Sequence, residues 1–288
     1  MPHGDVPNFD RIHKLPAGRR YFNVSVLWIF YYTLAIRLLY RLRIRHEAVT
    51  LASIGSGLTA AWLIVRATTM SGLLWAALLV HLKDLFDACD GALARLTGTG
   101  HRLGRFLDTI GDGVVFTAWI VAAGWRMAAS GTTWPACLWA VAAWLSLFLQ
   151  CSYFNFYQLH YIAHSGAEST SRLDERSSNV GSSVVRGLSM VYELWFGWQD
   201  RLIALWDRWQ RNSLGMPQSS AAVECDRWFS DRRFMIANSA LCFGTHAFVL
   251  ILCLVLGRPA SFLPAVAVGM NLYFAGIILA RQWVYRRA

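Results

Sequence analysis

Residues 84–116 read DLFDACDGALARLTGTGHRLGRFLDTIGDGVVF and put five aspartates, Asp84, Asp87, Asp90, Asp108 and Asp112, between two strongly apolar runs. Runs of that kind are read as membrane helices, which take about 20 residues to cross a bilayer. An acid inside such a segment is costly unless it faces protein, a partner or a water-filled cavity. The chain therefore has to fold so that its acidic stretches face each other near a water-reachable end of the membrane.

Composition points the same way. The chain is 56% hydrophobic, and 15% of its 288 residues are charged, against about 25% in a typical soluble domain. We expect an all-α integral membrane protein. The net charge of +10 is nearly all arginine, the lysines being Lys14 and Lys83. The basic excess gathers near expected helix ends, where it sets topology and meets anionic headgroups. No nucleic-acid motif is visible, and no nucleic-acid partner is expected. Cys89, Cys137, Cys151, Cys225, Cys242 and Cys253 show no CxxC pairing. They read as small hydrophobes, not as a disulfide framework or zinc site. The polar N-terminus carries no cleavable signal pattern.

Residues 1–46 read as a polar tail followed by an amphipathic helix. Arg37, Arg41 and Arg45 recur every four residues and share one face. That stripe suits a helix lying in the interface better than a span. Six spans follow, at about 48–67, 70–96, 101–129, 132–160, 232–256 and 260–284. They make a transmembrane unit of 47–160 and 232–288, with a polar insert at 161–231. Arginines at 37–45, 95–105, 232–233 and 281–287 fall on one side of such a bundle, which places both termini in the cytoplasm. Within the insert Trp195, Trp198, Leu202, Leu205 and Trp209 follow helical spacing. This is a helix packed on the cytoplasmic face or resting in the headgroups; an acceptor-selecting or membrane-docking insert is the sharper alternative.

The acids divide by spacing. Asp87, Asp90, Gly91, Ala94 and Arg95 lie on one face of the second span. Gly104, Asp108 and Asp112 lie on one face of the third. The TGTG turn at 97–100 makes the two spans antiparallel neighbours, so both pairs meet near one end. Four carboxylates so close raise each other's pKa unless cations compensate. Oxygen donors without Cys or His suit Mg2+, Mn2+ or Ca2+ and not zinc. Two such ions about 3.5–4 Å apart form a clamp for transfer at phosphorus. Gly91, Gly104 and Ala94 leave room for a ligand, and Arg95 can hold a phosphate oxygen bidentately. Asp84, one turn before Asp87 and beside Lys83, falls outside the pattern and is expected to be structural or to support the site from behind its ligands. Intramembrane acids also serve ion or proton pathways, and small residues also mark helix packing.

These residues resemble the signature of the CDP-alcohol phosphotransferase family, D-x2-D-G-x2-A-R-x8-G-x3-D-x3-D. All eight fixed residues, over 26 positions, match: Asp87, Asp90, Gly91, Ala94, Arg95, Gly104, Asp108 and Asp112. Six spans with an N-terminal interfacial helix also look like that family. The resemblance implies a divalent-metal-dependent transfer, in which a CDP-linked alcohol loses CMP and its phosphoryl group passes to a second alcohol. It implies that Asp87, Asp90, Asp108 and Asp112 hold two Mg2+ or Mn2+ ions, with Asp112 also the general base. Gly91, Ala94, Arg95 and Gly104 would line the donor site, joined by His101 and Thr50. His101 stands where family members often have Ser or Thr, and RHEAVT keeps only Thr50 of a Pro-Asn-x-x-Thr pattern. The resemblance further implies a homodimer and, from the compact layout, a bacterial inner-membrane enzyme using CDP-diacylglycerol. CDP-choline or CDP-ethanolamine with diacylglycerol is an alternative. A phosphorylated acceptor would need more cations, for which Arg102, Arg105, Arg232, Arg233 and Arg281 are candidates. Gln150, Asn155, Gln158 and His160 suit a polyol pocket or interfacial capping equally. Outside the family, an intramembrane prenyltransferase and an ion or proton transporter are the competing readings.

Overall fold

The computed structural model describes residues 12, 15, 19–21, 29–99, 102–131, 133–164, 187, 190, 195, 197–216 and 223–287, without the side chains at 29, 30, 102, 103, 105, 106 and 223–226. Among the described residues there is helix and no strand. The elements are α1 (Ile29–Arg41), α2 (His46–Arg66), α3 (Met70–Thr97), α4 (Arg102–Ala128), α5 (Thr133–Ala163), α6 (Trp198–Ser213), α7 (Val223–Ser230), α8 (Arg232–Asn238), α9 (Phe243–Val255) and α10 (Asn271–Arg286). A short 3-10 turn and a π-turn, Ala265–Met270, lead into α10 without a break.

Among the described residues four helices are long and apolar enough to cross a membrane: His46–Arg66, Leu107–Ala128, Thr133–Ala163 and Pro259–Arg286. Arg232–Leu241 and Phe243–Val255 make a fifth crossing if taken as one bent span. The expected six-span count is thus met by four or five on length and composition. Helix α3 is 28 residues long, but from its midpoint on it carries Lys83, Asp84, Asp87, Asp90 and Arg95. The expected straight span at 232–256 is bent by 47°. The backbone turns extended at Cys242 (φ −74°, ψ 162°), which ends one helical ladder and starts the next.

Lipid tails are as apolar as leucine, so close packing and interhelical hydrogen bonds hold membrane helices together. Helix α2 shows both. Trp119 Nε1 on α4 donates to the Gly57 carbonyl at 2.8 Å, and Ser53 Oγ on α2 donates to the Lys83 carbonyl at 3.0 Å. A side chain at Gly57 would collide with Val115, and one at Gly111 with Ile54. Helix α2 therefore lies tight against both α3 and α4. Helices α2 and α9 pack closely on α3, and the acidic faces of α3 and α4 meet as expected, with Lys83 and Asp87 of α3 against Asp112 of α4. The main core continues through Trp119, Phe116, Phe148, Leu250 and Phe262.

Two features shape the acidic end. Helix α3 stops at Gly98 in the left-handed conformation (φ +65°), which glycine adopts without strain, and the Gly98 N–H closes onto the Ala94 carbonyl. Described points of the N-terminal stretch cross that end: Arg95 donates to the Ile12 carbonyl at 2.7 Å, and Tyr161 to the Arg19 carbonyl at 3.0 Å. Helix α1 packs on α3, with Tyr32 donating to the Ala88 carbonyl at 3.2 Å, while Arg37 and Arg41 face outward.

Candidate functional site

Asp87 sits on α3, and Asp108 and Asp112 lie one turn apart on α4. One carboxylate oxygen from each falls within a group whose members all lie within 4.8 Å of one another. Opposite ligands of a cation with bonds of 2.0–2.1 Å lie about 4.2 Å apart, and about 5 Å apart at the longer calcium distances. The trio therefore has the size and the all-oxygen chemistry of a hard divalent-cation site.

Asp90 is placed differently. It faces the same end of α3 but is buried against α2, where Thr50 Oγ1 donates to its Oδ2 at 2.6 Å. The Thr50 hydroxyl also lies 3.1 Å from the His46 carbonyl. Thr50 thus meets the acidic motif through Asp90, across 40 residues of sequence. Asp84 lies outside the trio.

Lys83 is the residue that spacing should have flagged. It lies four residues before Asp87, on the same face, and is 2% exposed. Its ammonium donates to Asp87 Oδ1 at 3.2 Å and to Asp112 Oδ1, and the Phe116 ring lies 5.5 Å away. Sequence reading placed Lys83 only beside Asp84. Four aspartates around one lysine crowd negative charge into a half-buried place. Such crowding is relieved by bound cations or by protons on the carboxylates.

The remaining motif positions leave space. A Cβ at Gly91 would meet nothing nearer than Arg95 Nη1 at 3.4 Å, so packing does not demand glycine there. Arg95 uses Nη2 on the Ile12 carbonyl, and its buried Nε has no partner among the described residues. Ala94 and Gly104 are half-buried on the facing helices. His101 lies outside the described residues, as do the side chains of Arg102 and Arg105.

Several polar residues considered for an acceptor pocket are engaged elsewhere. Gln150 is fully buried, donates to Asn271 at 2.8 Å and lies 2.8 Å from His246 Nε2, tying α5, α9 and α10 together. Gln158 donates to the Tyr21 hydroxyl at 2.6 Å. His160 stacks on Phe229 at 4.3 Å. The Arg281 guanidinium lies 3.4 Å from the Trp228 ring and 3.7 Å from Phe234, and it donates to the Trp228 carbonyl at 2.5 Å. Arg232 donates to the Arg20 carbonyl at 2.9 Å.

A family profile described as CDP-alcohol phosphatidyltransferase matches residues 44–204, more than half of the chain. The chain belongs to the CDP-alcohol phosphatidyltransferase family. The matched region runs from just before α2 through the aspartate trio and into α6. Among curated relatives, a phosphatidylinositol phosphate synthase of Corynebacterium glutamicum is 35% identical over 92 residues, covering 30% of this chain and 41% of the relative. A protein of the same description from Mycobacteroides abscessus is 39% identical over 71 residues, covering 22% of this chain and 32% of the relative. The chain thus aligns with less than half the length of the curated relatives it matches. No solved structure matches it.

Proposed function

We propose that this chain is a divalent-metal-dependent CDP-alcohol phosphatidyltransferase of phospholipid synthesis. Its donor in this reading is CDP-diacylglycerol and its acceptor a small polar alcohol. The observation that carries the reading is the carboxylate trio Asp87, Asp108 and Asp112, within 4.8 Å of one another and short of positive charge, on the family's own motif. Bacterial relatives named phosphatidylinositol phosphate synthase make inositol phosphate the first acceptor to try. Helix α3 counts as a sixth span in this reading, its charged half at the water-reachable end. Helix α1 lies in the interface, both termini face the cytoplasm, and the enzyme works as a homodimer in a bacterial inner membrane.

Two Mg2+ or Mn2+ ions bound by Asp87, Asp90, Asp108 and Asp112 would supply Lewis-acid charge against the donor pyrophosphate. The side chains do the rest. Arg95 leaves the Ile12 carbonyl and takes a phosphate oxygen with Nε and Nη2. Gly91, Ala94 and Gly104 admit the nucleotide between α3 and α4, with Thr50 and His101 at its margins. Asp112 accepts the proton of the acceptor hydroxyl as that oxygen bonds to the phosphorus bearing the lipid. The bond from this phosphorus to CMP breaks, and CMP leaves with the electron pair. Lys83 holds Asp112 in place and keeps part of its charge compensated between turnovers.

The test is CMP release by purified protein given CDP-diacylglycerol, Mg2+ or Mn2+, and a panel of acceptors headed by inositol phosphate and glycerol phosphate. CMP is expected with at least one acceptor and none in EDTA. No CMP with any acceptor, nor with CDP-choline and diacylglycerol, would refute the reading.

A further inference from the structure

Helix α6 has its polarity inverted. Gln199, Asp207 and Gln210 are buried, while Trp198, Leu202, Leu205, Trp206 and Trp209 are exposed, Leu205 by 61% and Trp209 by 56%. Apart from Trp195, the apolar stripe read from the sequence is thus the outer face, and the polar side is packed, together with Ile203. Gln199 accepts from Ser152 Oγ at 2.8 Å. Asp207 accepts from Tyr157 at 2.7 Å and Trp228 at 2.9 Å.

Depth follows from what α6 touches on α5. Just before the helix, the Trp195 ring packs 6.3 Å from Trp144 and 6.2 Å from Phe148, within the main core. Gln199 then meets Ser152, Asp207 meets Tyr157, and Arg211 lies 5.6 Å from the Phe229 ring, which stacks on His160. Helix α6 therefore starts beside the middle of α5 and climbs toward its C-terminal end. Helix α5 has 31 residues, whereas the hydrocarbon layer takes about 20. Every window of about 20 residues within 133–163 contains residues 144–152. Wherever α5 sits in the bilayer, Trp144, Phe148 and Ser152 lie at hydrocarbon depth, and Trp195 and the start of α6 lie there with them.

We propose that Trp195 and α6 form a lipid-embedded arm. Trp195 anchors it among the spans. The Trp198, Leu202, Leu205, Trp206 and Trp209 face lies against the acyl chains and then the headgroups of the leaflet at the acidic end. Exposed Arg201 and Arg208 beside the stripe suit anionic headgroups. The residues expected to form a cytoplasmic insert include a segment that returns into the bilayer. This rests on α5 crossing the membrane and not on the proposed chemistry.

The test is spin-label depth in lipid nanodiscs. Labels go on Leu202→Cys, on Leu205→Cys and, as a reference on the outer face of α5, on Leu145→Cys, which lies within 144–152 and is exposed. The background carries Cys137→Ser and Cys225→Ser; Cys89, Cys151, Cys242 and Cys253 are buried and remain. Oxygen should relax the labels at 202 and 205 more than a water-soluble nickel complex does, with a positive depth parameter as at 145. Dominance of the nickel complex at 202 and 205, with 145 in lipid, overturns the proposal. So does protection from both reagents that disappears on dilution with unlabelled protein, which would mean a second copy covers the face. If 145 is itself in water, the span reading of α5 has failed. A second measurement leaves this face without cysteines. Replacing Trp198, Trp206 and Trp209 with Phe should lower the share of emission quenched by lipids brominated near the glycerol. An unchanged share overturns the proposal.

Discussion

Two carboxylate sites in this chain, one buried and one half-buried, are built to opposite rules. Around Asp207 a single acid meets three donors: Tyr157 and Trp228 on Oδ1 at 2.7 and 2.9 Å, and Arg211 on Oδ2 at 2.9 Å. Its charge is matched by one guanidinium and its lone pairs are used. Between α3 and α4, Asp87 and Asp112 share one lysine with Asp108 beside them, while Asp90 relies on a threonine hydroxyl. A satisfied acid holds a structure together, and breaking its set is destabilising. An acid group short of cations is held together by the fold around it and is available to a ligand. Burial and partner count separate the two cases together: Asp207 is buried with a full set of donors, and the trio is half-buried around one lysine.

The largest expected effect is on activity. Asp112→Asn removes the proposed proton acceptor, and CMP release should fall about 10²- to 10⁴-fold. Its melting temperature in EDTA should stay level or rise, because a repelling charge is gone. A loss of folding together with activity would put Asp112 in the structural class.

Asp207→Leu should behave in the opposite way. It leaves Arg211 buried without its carboxylate, at a cost of about 3–5 kcal/mol. Thermal unfolding should show the drop, and adding Arg211→Met should recover much of it. Metal binding by the folded fraction should be unchanged.

Lys83→Met sharpens the contrast from inside the trio. With the internal cation gone, melting in EDTA should fall and the rise on adding Mn2+ should exceed that of the unmodified protein. A site filled to 100 times its dissociation constant adds about 2.7 kcal/mol. Equal gains in both proteins would show that Lys83 does not compensate the aspartates. The smallest effect is expected from Thr50→Val, which leaves Asp90 an unmet acceptor on one oxygen. That should cost about 1–3 kcal/mol in thermal unfolding.

Much of this was legible in the sequence because it is local. Periodicity placed α2, α3, α4 and α5 within a few residues of their ends, and spacing alone put Asp108 and Asp112 on one face. What escaped reading depends on residues far apart. Lys83 reaches Asp112 across 29 positions and Thr50 reaches Asp90 across 40, so no window contains either pair. The bend at Cys242 arises from one extended residue in an otherwise apolar run. Helix α6 shows how an amphipathic pattern fixes which residues share a face but not which face turns inward. In water the Trp and Leu stripe would pack and Gln199 and Asp207 would be solvated. Beside the tyrosines and serine of α5, the polar side finds its hydrogen bonds inside.

The most direct measurement is a Mn2+ titration by electron paramagnetic resonance on the purified protein and on Asp108→Asn and Asp207→Asn. Saturable Mn2+ binding is expected in the unmodified protein and in folded Asp207→Asn, and its loss or severe weakening in Asp108→Asn. Binding that survives Asp108→Asn unchanged, or that vanishes from folded Asp207→Asn, would contradict the assignment of the α3–α4 aspartates as the metal centre.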